Sequence, residues 1–311
     1  MKNIFHLLLQ KIKTAFILFS NGQLWEIWRN SETEFQRNRR VAIWENVPLS
    51  GKPVRDKLAN GERIELYPGD LLSKLIYFRN FEQDEQKFLR KFLRPTDIFI
   101  DVGANLGLYT IIAARIVGKK GKIYSFEPSK VNFERLTRNV QLNHYQNVIC
   151  VQLALSDAEE SREFLVSTDG FGAYNSLGKP SAGERFNTEV VSCLTWDQFA
   201  IKNQLIDKIA LMKIDVEGWE SRVFNGGKQF FSREDAPDLL VEFTEINAKI
   251  NGSSCEILFQ QLMDFGYQIY LINMEKQTLE RQEEWHNYDY INLFATKRLN
   301  LVLDRLGFSC V

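Results

Sequence analysis

From residue 97 onward, short apolar runs alternate with longer stretches whose apolar residues recur every three or four positions. The runs at 97–102, 122–126, 148–153, 208–214 and 238–243 predict buried strands. The stretches at 108–117, 129–142, 221–231 and 255–265 predict amphipathic helices. No period holds between 154 and the run at 208, so an irregular segment is expected there. Runs at 267–272 and 290–296 predict two last strands, separated by a polar loop with no helical pattern. Repeated strand and helix units imply an α/β fold, a doubly wound and mostly parallel sheet covered on both faces. The last two strands predict an antiparallel addition at its edge.

A charged helical pattern at 82–93 stops at Arg94-Pro95, which divides the chain into a mostly helical accessory region, 1–94, and a domain, 95–311. The accessory region holds helical patterns at 4–19 and 24–40. It also holds a hairpin-like segment, 54–58 and 63–67 around Asn60-Gly61, and a short helix after Gly69-Asp70.

Composition adds exclusions. The chain of 311 residues is 44% hydrophobic and 25% charged with a formal net charge of -1, which suits a soluble globular protein and disfavours nucleic acid as the main partner. The charge is uneven, for residues 1–95 hold 17 Lys/Arg against 11 Asp/Glu and the remainder 22 against 29. Cys150, Cys193, Cys255 and Cys310 are scattered without a CxxC pair or a Cys/His cluster, so neither zinc nor a disulfide framework is expected. A reducing, cytoplasmic setting follows. No apolar run is long enough to span a bilayer. The 4–19 pattern is interrupted by Lys11 and Lys13 and reads as an amphipathic helix packed on its own protein. Its minority reading is weak contact of residues 1–20 with an anionic membrane surface.

The strongest chemical signal is Asp101-Val-Gly103-Ala-Asn105-Leu-Gly107, at the end of a strand and the start of a helix. Ligands of open parallel sheets bind at that edge. Gly103 and Gly107 let the backbone turn tightly, Asn105 tolerates a left-handed conformation, and the following helix presents free amides. Glu127 ends the next strand, where a carboxylate accepts hydrogen bonds from both hydroxyls of a ribose. A dinucleotide GxGxxG counted from Gly103 needs glycine where Asn105 and Leu108 stand, which disfavours an NAD-linked oxidoreductase. The acid two residues before the first glycine instead suits the amino-acid part of S-adenosylmethionine.

These residues resemble the FkbM family of S-adenosylmethionine-dependent methyltransferases. The resemblance rests on Phe99-Ile-Asp-Val-Gly-Ala-Asn-Leu-Gly107, Phe126-Glu-Pro128, Ala154-Leu-Ser-Asp157 and Lys213-Ile-Asp-Val-Glu-Gly218, and covers residues 80–275. It implies the class I, Rossmann-like methyltransferase fold with seven strands, and typically O-methylation of a hydroxyl on a sugar, glycolipid or polyketide-like acceptor. Under it, Asp101, Gly103, Asn105, Gly107 and Glu127 are cofactor-binding, and Asp157 falls where the adenine amino group is expected.

In the fourth motif Lys213, Asp215 and Glu217 emerge from an apolar strand, where ionised groups are costly unless paired or placed at a site. A structural ion pair is the plainer reading. Methyl transfer to an alcohol needs alignment and a base for the hydroxyl proton. Asp215 or Glu217 is the expected base, with the other orienting the acceptor. His144 falls at the wrong end of the sheet, and His6 and His286 have no supporting motif. The glycine-rich segment 169–176 is expected to act as a lid over the acceptor. Thr195-Trp-Asp197 reads as a helix start. Glu242, Glu245 and Asn247 follow the fifth strand, and the minority reading has them complete a metal site with Asp215, as oxygen ligands suit Mg2+; no spacing rule requires it, and no metal is expected. The rivals are the NAD-linked oxidoreductase and a binding protein that keeps the nucleoside pocket without catalysis.

Overall fold

The computed structural model describes residues 34–49, 51–172, 175–205, 209–286 and 289–311. The helix expected at 4–19, with its membrane reading, lies outside them. Among the described residues no helix is long and apolar enough to cross a membrane.

Packing separates two units. The first comprises residues up to Asp56 with Leu66–Gln83. It contains α1 (Glu34–Glu45), most of strand β1 (Val54–Lys57) and α2 (Leu71–Tyr77), which is capped by the Asp70 carboxylate accepting from the Ser73 N–H at 2.8 Å. Trp44 stacks on Tyr77 with ring centroids 4.9 Å apart, and Arg40 and Arg79 both meet Asp56, at 2.8 and 2.9 Å.

The second unit comprises Lys57–Glu65 and Asp84–Val311. The Leu58 N–H donates to the Glu62 carbonyl at 2.8 Å, closing the expected hairpin turn ahead of β2 (Arg63–Leu66). The division does not fall at Arg94-Pro95, because α3 (Gln83–Phe92) packs with the sheet. Its Phe88 and Phe92 rings lie 5.1 and 5.9 Å from that of Phe294, and all three side chains are buried. A helix with one apolar face goes where that face is covered, and the proline after it ends the helix without ending the unit.

The main sheet is built from β3 (Ile98–Val102), β4 (Lys122–Phe126), β5 (Val148–Val151), β9 (Ile209–Ile214), β10 (Asp238–Phe243), β11 (Gln268–Asn273), β12 (Thr278–Gln282), β13 (Ile291–Thr296) and β14 (Ser309–Cys310). Its order is β14-β12-β11-β13-β10-β9-β3-β4-β5. The five strands from β10 to β5 are parallel to one another, while β13 runs antiparallel to both β10 and β11. This is the class I methyltransferase arrangement, with the reversed strand inserted beside β10 rather than left at the edge. Two further strands extend it: β12 forms from the polar loop after β11, and β14 from the chain terminus.

Helices α4 (Leu108–Val117), α5 (Lys130–Leu142), α7 (Glu220–Asn225), α8 (Lys228–Phe231), α9 (Glu245–Ile250), α10 (Cys255–Asp264) and α11 (Leu299–Leu306) occupy the connections and the C-terminal segment. The stretch expected to be irregular holds β6 (Ala154–Leu155) and two long antiparallel strands, β7 (Glu160–Ser167) and β8 (Phe186–Leu194), followed by α6 (Trp196–Lys202). Phe164, Val166, Val191 and Cys193 alternate along this pair into a small core, a period-two signal interrupted by polar residues on the other face. Thr195 caps α6 as expected, in a capping box with Gln198.

Candidate active site

Strand order reverses between β3 and β9: β4 and β5 follow on one side, β10 on the other. Ligands of open sheets bind at such a reversal, off the carboxyl ends of the strands. The loops leaving β3 and β9 carry the first and fourth sequence motifs.

After β3 the backbone turns through Gly103, Asn105 and Gly107, at φ 81°, 48° and 93°. The N–H groups of Gly103 and Ala104 both donate to the Phe126 carbonyl, at 3.0 and 2.9 Å, which pins the turn to the end of β4. A Cβ on Gly103 would stand 1.8 Å from the Asp215 carbonyl oxygen. Only glycine permits that approach and that φ together.

Glu127 is buried just beyond β4. One of its oxygens accepts the Asn105 N–H at 2.9 Å and the other accepts the Ser129 N–H at 3.0 Å. These bonds aim the carboxylate at the glycine turn, while burial pushes its pKa up to about 8. Asp101 is buried beneath the turn. Its Oδ2 accepts the Thr110 hydroxyl at 2.6 Å and its Oδ1 has no hydrogen-bond partner. Burial raises this carboxyl to about 6, against the lowering influence of Lys213.

Asp157 stands in a separate group. It accepts from Arg222 at 3.0 Å and from the Ser156 hydroxyl at 3.1 Å, and Arg222 in turn covers the Trp219 ring. Its carboxylate is therefore engaged by a guanidinium.

The fourth motif turns back against the first. The Asp215 N–H donates to the Val102 carbonyl at 3.1 Å. Lys213, almost wholly buried, donates to Asp215 Oδ2 at 2.5 Å and lies 4.7 Å from the Tyr109 ring centre. The ion pair offered by the plainer sequence reading is thus real, and it sits at the sheet edge that carries the glycine turn. Glu217 adopts a left-handed backbone, φ 56°, and its Oε2 accepts from the Asn247 side-chain amide. Such a conformation in a non-glycine residue costs of order 1–3 kcal/mol and persists where neighbours hold it. Here Ser176 and Asn251 both donate to the Glu217 carbonyl, at 3.2 and 3.3 Å.

Two further carboxylates complete the site: Glu220, which the sequence reading did not single out, and Glu242, which it weighed only as a metal ligand. Glu220, buried in the first turn of α7, accepts the N–H groups of Val216 and Gly218 at 3.0 and 3.2 Å and so ties the motif loop into its turn. Burial raises it to about 7. Its spacing of three from Glu217, at a helix start, was the available signal. Glu242 is 5% exposed at the end of β10. Burial, then Asp215, Glu217 and Glu220, push its pKa well above the usual carboxylate range. Oxygens of Asp215, Glu217 and Glu242 lie within 4.8 Å of one another. Glu245 does not join them, for it accepts the Cys255 N–H at 2.8 Å and pairs with Lys249 at 2.8 Å.

The segment 169–176 is fastened at both described ends. Asp169 accepts the Ser167 hydroxyl at 2.6 Å and the Glu184 N–H at 2.7 Å, and Ser176 pairs with Leu165. Between them, the Gly172 carbonyl accepts the side-chain amides of Asn105 and Asn132, each at 3.4 Å. The expected lid thus reaches the glycine turn and Glu217. His144 lies in the turn after α5, away from this edge.

The family described as Methyltransferase FkbM domain matches residues 101–269. The 31-O-demethyl-FK506 methyltransferase FkbM of Streptomyces tacrolimicus is 27% identical over 162 residues, covering 43% of this chain and 60% of that protein. The hexuronic acid methyltransferase AglP of Haloferax volcanii is 28% identical over 145 residues, covering 47% of this chain and 56% of that protein. The crystal structure of Methyltransferase FkbM from Methylobacillus flagellatus KT aligns with a TM-score of 0.39 and 15% identity, over 72% of this chain and 54% of that one. The matched part spans between 56% and 61% of the length of the curated relatives.

Proposed function

The chain belongs to the FkbM methyltransferase family, and we propose that it is an S-adenosylmethionine-dependent O-methyltransferase acting on a hydroxyl of a sugar, glycolipid or polyketide-like acceptor. The observation that carries this reading is the close approach of the Gly103 turn to the Asp215 backbone. It sets a nucleoside-binding loop against a cluster of carboxylates.

The residues present suit the cofactor. Glu127 is a buried acceptor aimed at the turn, each of its oxygens keeping a lone pair for a ribose hydroxyl. Asp101 carries a buried oxygen without a partner beneath the same loop and attracts an ammonium group electrostatically. Asp157 is assigned to the adenine amino group, in competition with Arg222. When bound, S-adenosylmethionine supplies a methyl group on a sulfonium.

The acceptor hydroxyl is held at the Asp215 and Glu217 side of the crevice. Its oxygen–carbon bond forms as the carbon–sulfur bond breaks, and its proton passes to one of these carboxylates, leaving a methyl ether and S-adenosylhomocysteine. Glu217 is the better base, because one oxygen of Asp215 is already taken by the Lys213 ammonium. A carboxylate cluster favours oxygen acceptors, since a hydroxyl must lose a proton to become a good nucleophile and a neutral amine need not. The names of two relatives, a 31-O-demethyl compound and a hexuronic acid, support an oxygen-bearing acceptor.

The test is calorimetry with S-adenosylmethionine, S-adenosylhomocysteine and NAD, followed by transfer of labelled methyl to fractionated glycans, lipids and polyketides. Binding of both sulfur nucleosides and label in an alkali-stable methyl ether are expected. Binding of NAD alone, or label on nitrogen, overturns the reading.

A further inference from the structure

We propose that Asp215, Glu217, Glu242 and the side-chain oxygen of Asn247 form a binding site for one divalent cation of the hard, oxygen-seeking class of Mg2+ or Mn2+. The three carboxyl groups converge from two strand ends, Asp215 and Glu217 beyond β9 and Glu242 at β10, with oxygens within 4.8 Å of one another. Oxygens that share one ion bound at about 2.0–2.6 Å from each lie no more than about 4–5 Å apart, so only a small inward movement brings the three onto one cation.

An acidic cluster alone would not carry this. The second observation is two orphaned oxygens. Among the described residues, Glu242 Oε2 is buried without a hydrogen-bond partner, and so is Oδ1 of Asn247, a residue 2% exposed. The Asn247 amide faces the cluster, because its nitrogen donates to Glu217 Oε2. An amide oxygen can only accept, and buried acceptors without a donor are costly. A cation answers both vacant acceptors at once.

Lys213 brings one positive charge to Asp215, against three carboxyl groups. A proton shared between Glu242 and Asp215 is the competing occupant. It satisfies a carboxyl oxygen but leaves the Asn247 Oδ1 without a donor. The donors are all oxygen, with neither sulfur nor imidazole, which selects Mg2+, Ca2+ or Mn2+ over zinc or copper. Glu245, the acid nearest in sequence to Asn247, is excluded by its bonds to Cys255 and Lys249.

The use of the site, though not its occupancy, rests on the methyltransferase reading: a cation beside the acceptor hydroxyl lowers the cost of shedding its proton.

The test uses the full chain and Mn2+ as the probe, read by electron paramagnetic resonance, with Mg2+ as competitor and S-adenosylhomocysteine affinity measured in parallel. One Mn2+ per chain, displaced by Mg2+, is expected. Affinity should fall at least about tenfold in Glu242→Gln and in Asn247→Leu, with the circular dichroism spectrum unchanged. If Glu242→Gln does not fold, Glu217→Gln replaces it. No Mn2+ bound by the wild type at millimolar concentration overturns the site, as does equal affinity in every folded variant. S-adenosylhomocysteine binding without Mn2+ defeats the cation and leaves the cofactor standing. Mn2+ binding without S-adenosylhomocysteine does the reverse.

Discussion

The Asp215 carbonyl oxygen occupies the space a side chain at Gly103 would need, 1.8 Å from the ideal Cβ position. The glycine turn and the carboxylate motif are therefore one mechanical unit, joined also by the Asp215 N–H donating to Val102.

Replacing Gly103 with Ala must move one motif away from the other, since the obstructing atom is backbone and φ is 81°. We expect a loss of at least about 2 kcal/mol in urea unfolding together with loss of S-adenosylhomocysteine binding. Wild-type values for both would show that the turn and the motif are not in contact.

Glu127 should make cofactor binding depend on pH. Burial lifts its pKa to about 8 from an ordinary 4.5, and ribose hydroxyls donate best to the ionised form. Affinity for S-adenosylhomocysteine, measured by calorimetry, should rise from pH 6 towards pH 8 and then level off. The stability of the ligand-free protein should move the other way. The native state holds this proton more tightly than the unfolded chain does, so the contribution is full below about 4.5 and declines by up to about 1.4 kcal/mol per pH unit until about 8. Glu127→Gln should flatten the binding profile and make the stability profile less steep, Asp101 and Glu220, raised to about 6 and about 7, still contributing to the latter.

Asp215→Asn and Glu217→Gln should each lower single-turnover methyl transfer by at least about a hundredfold, but they should differ in stability. Asp215 is the ion-pair partner of a buried ammonium, and breaking that pair should cost about 3 kcal/mol. Glu217→Gln keeps the Lys213–Asp215 pair and should unfold within about 1 kcal/mol of wild type. Near-normal turnover in both variants would leave alignment alone as the catalytic device.

Phe88 tests where the second unit begins. It is fully buried against Phe92 and Phe294. Phe88→Ala should cost about 3–5 kcal/mol and lower the unfolding transition of the whole sheet domain, seen by Trp fluorescence. A separate early transition, with the main one unmoved, would make the helix part of an independent accessory domain.

The strands and helices around the first motif were legible because their signals are local. Apolar runs and helical spacing gave α4, β4 and β10 to the residue, and the left-handed positions of the turn fall on Gly103, Asn105 and Gly107, residue types that adopt them. For the same reason Glu127 was legible, since the end of its strand could be counted. The strands β7 and β8 were not. Each is polar on one face, and their pairing closes a connection whose two ends lie far apart in sequence.

The site divides in the same way. Asp215 and Glu217 are written in one motif, but the neighbour they acquire is not. The parallel register of β9 and β10 sets Ile214 beside Val241, so that the next residues, Asp215 just past β9 and Glu242 near the end of β10, stand side by side. Asn247 then reaches back from α9 to Glu217. By itself the sequence determined which residue types stand at each strand end, because backbone conformation and burial are set by near neighbours. The tertiary structure alone decided which strand ends meet, because register is fixed by packing across the sheet, and with it the charge and the unfilled acceptors gathered at this edge.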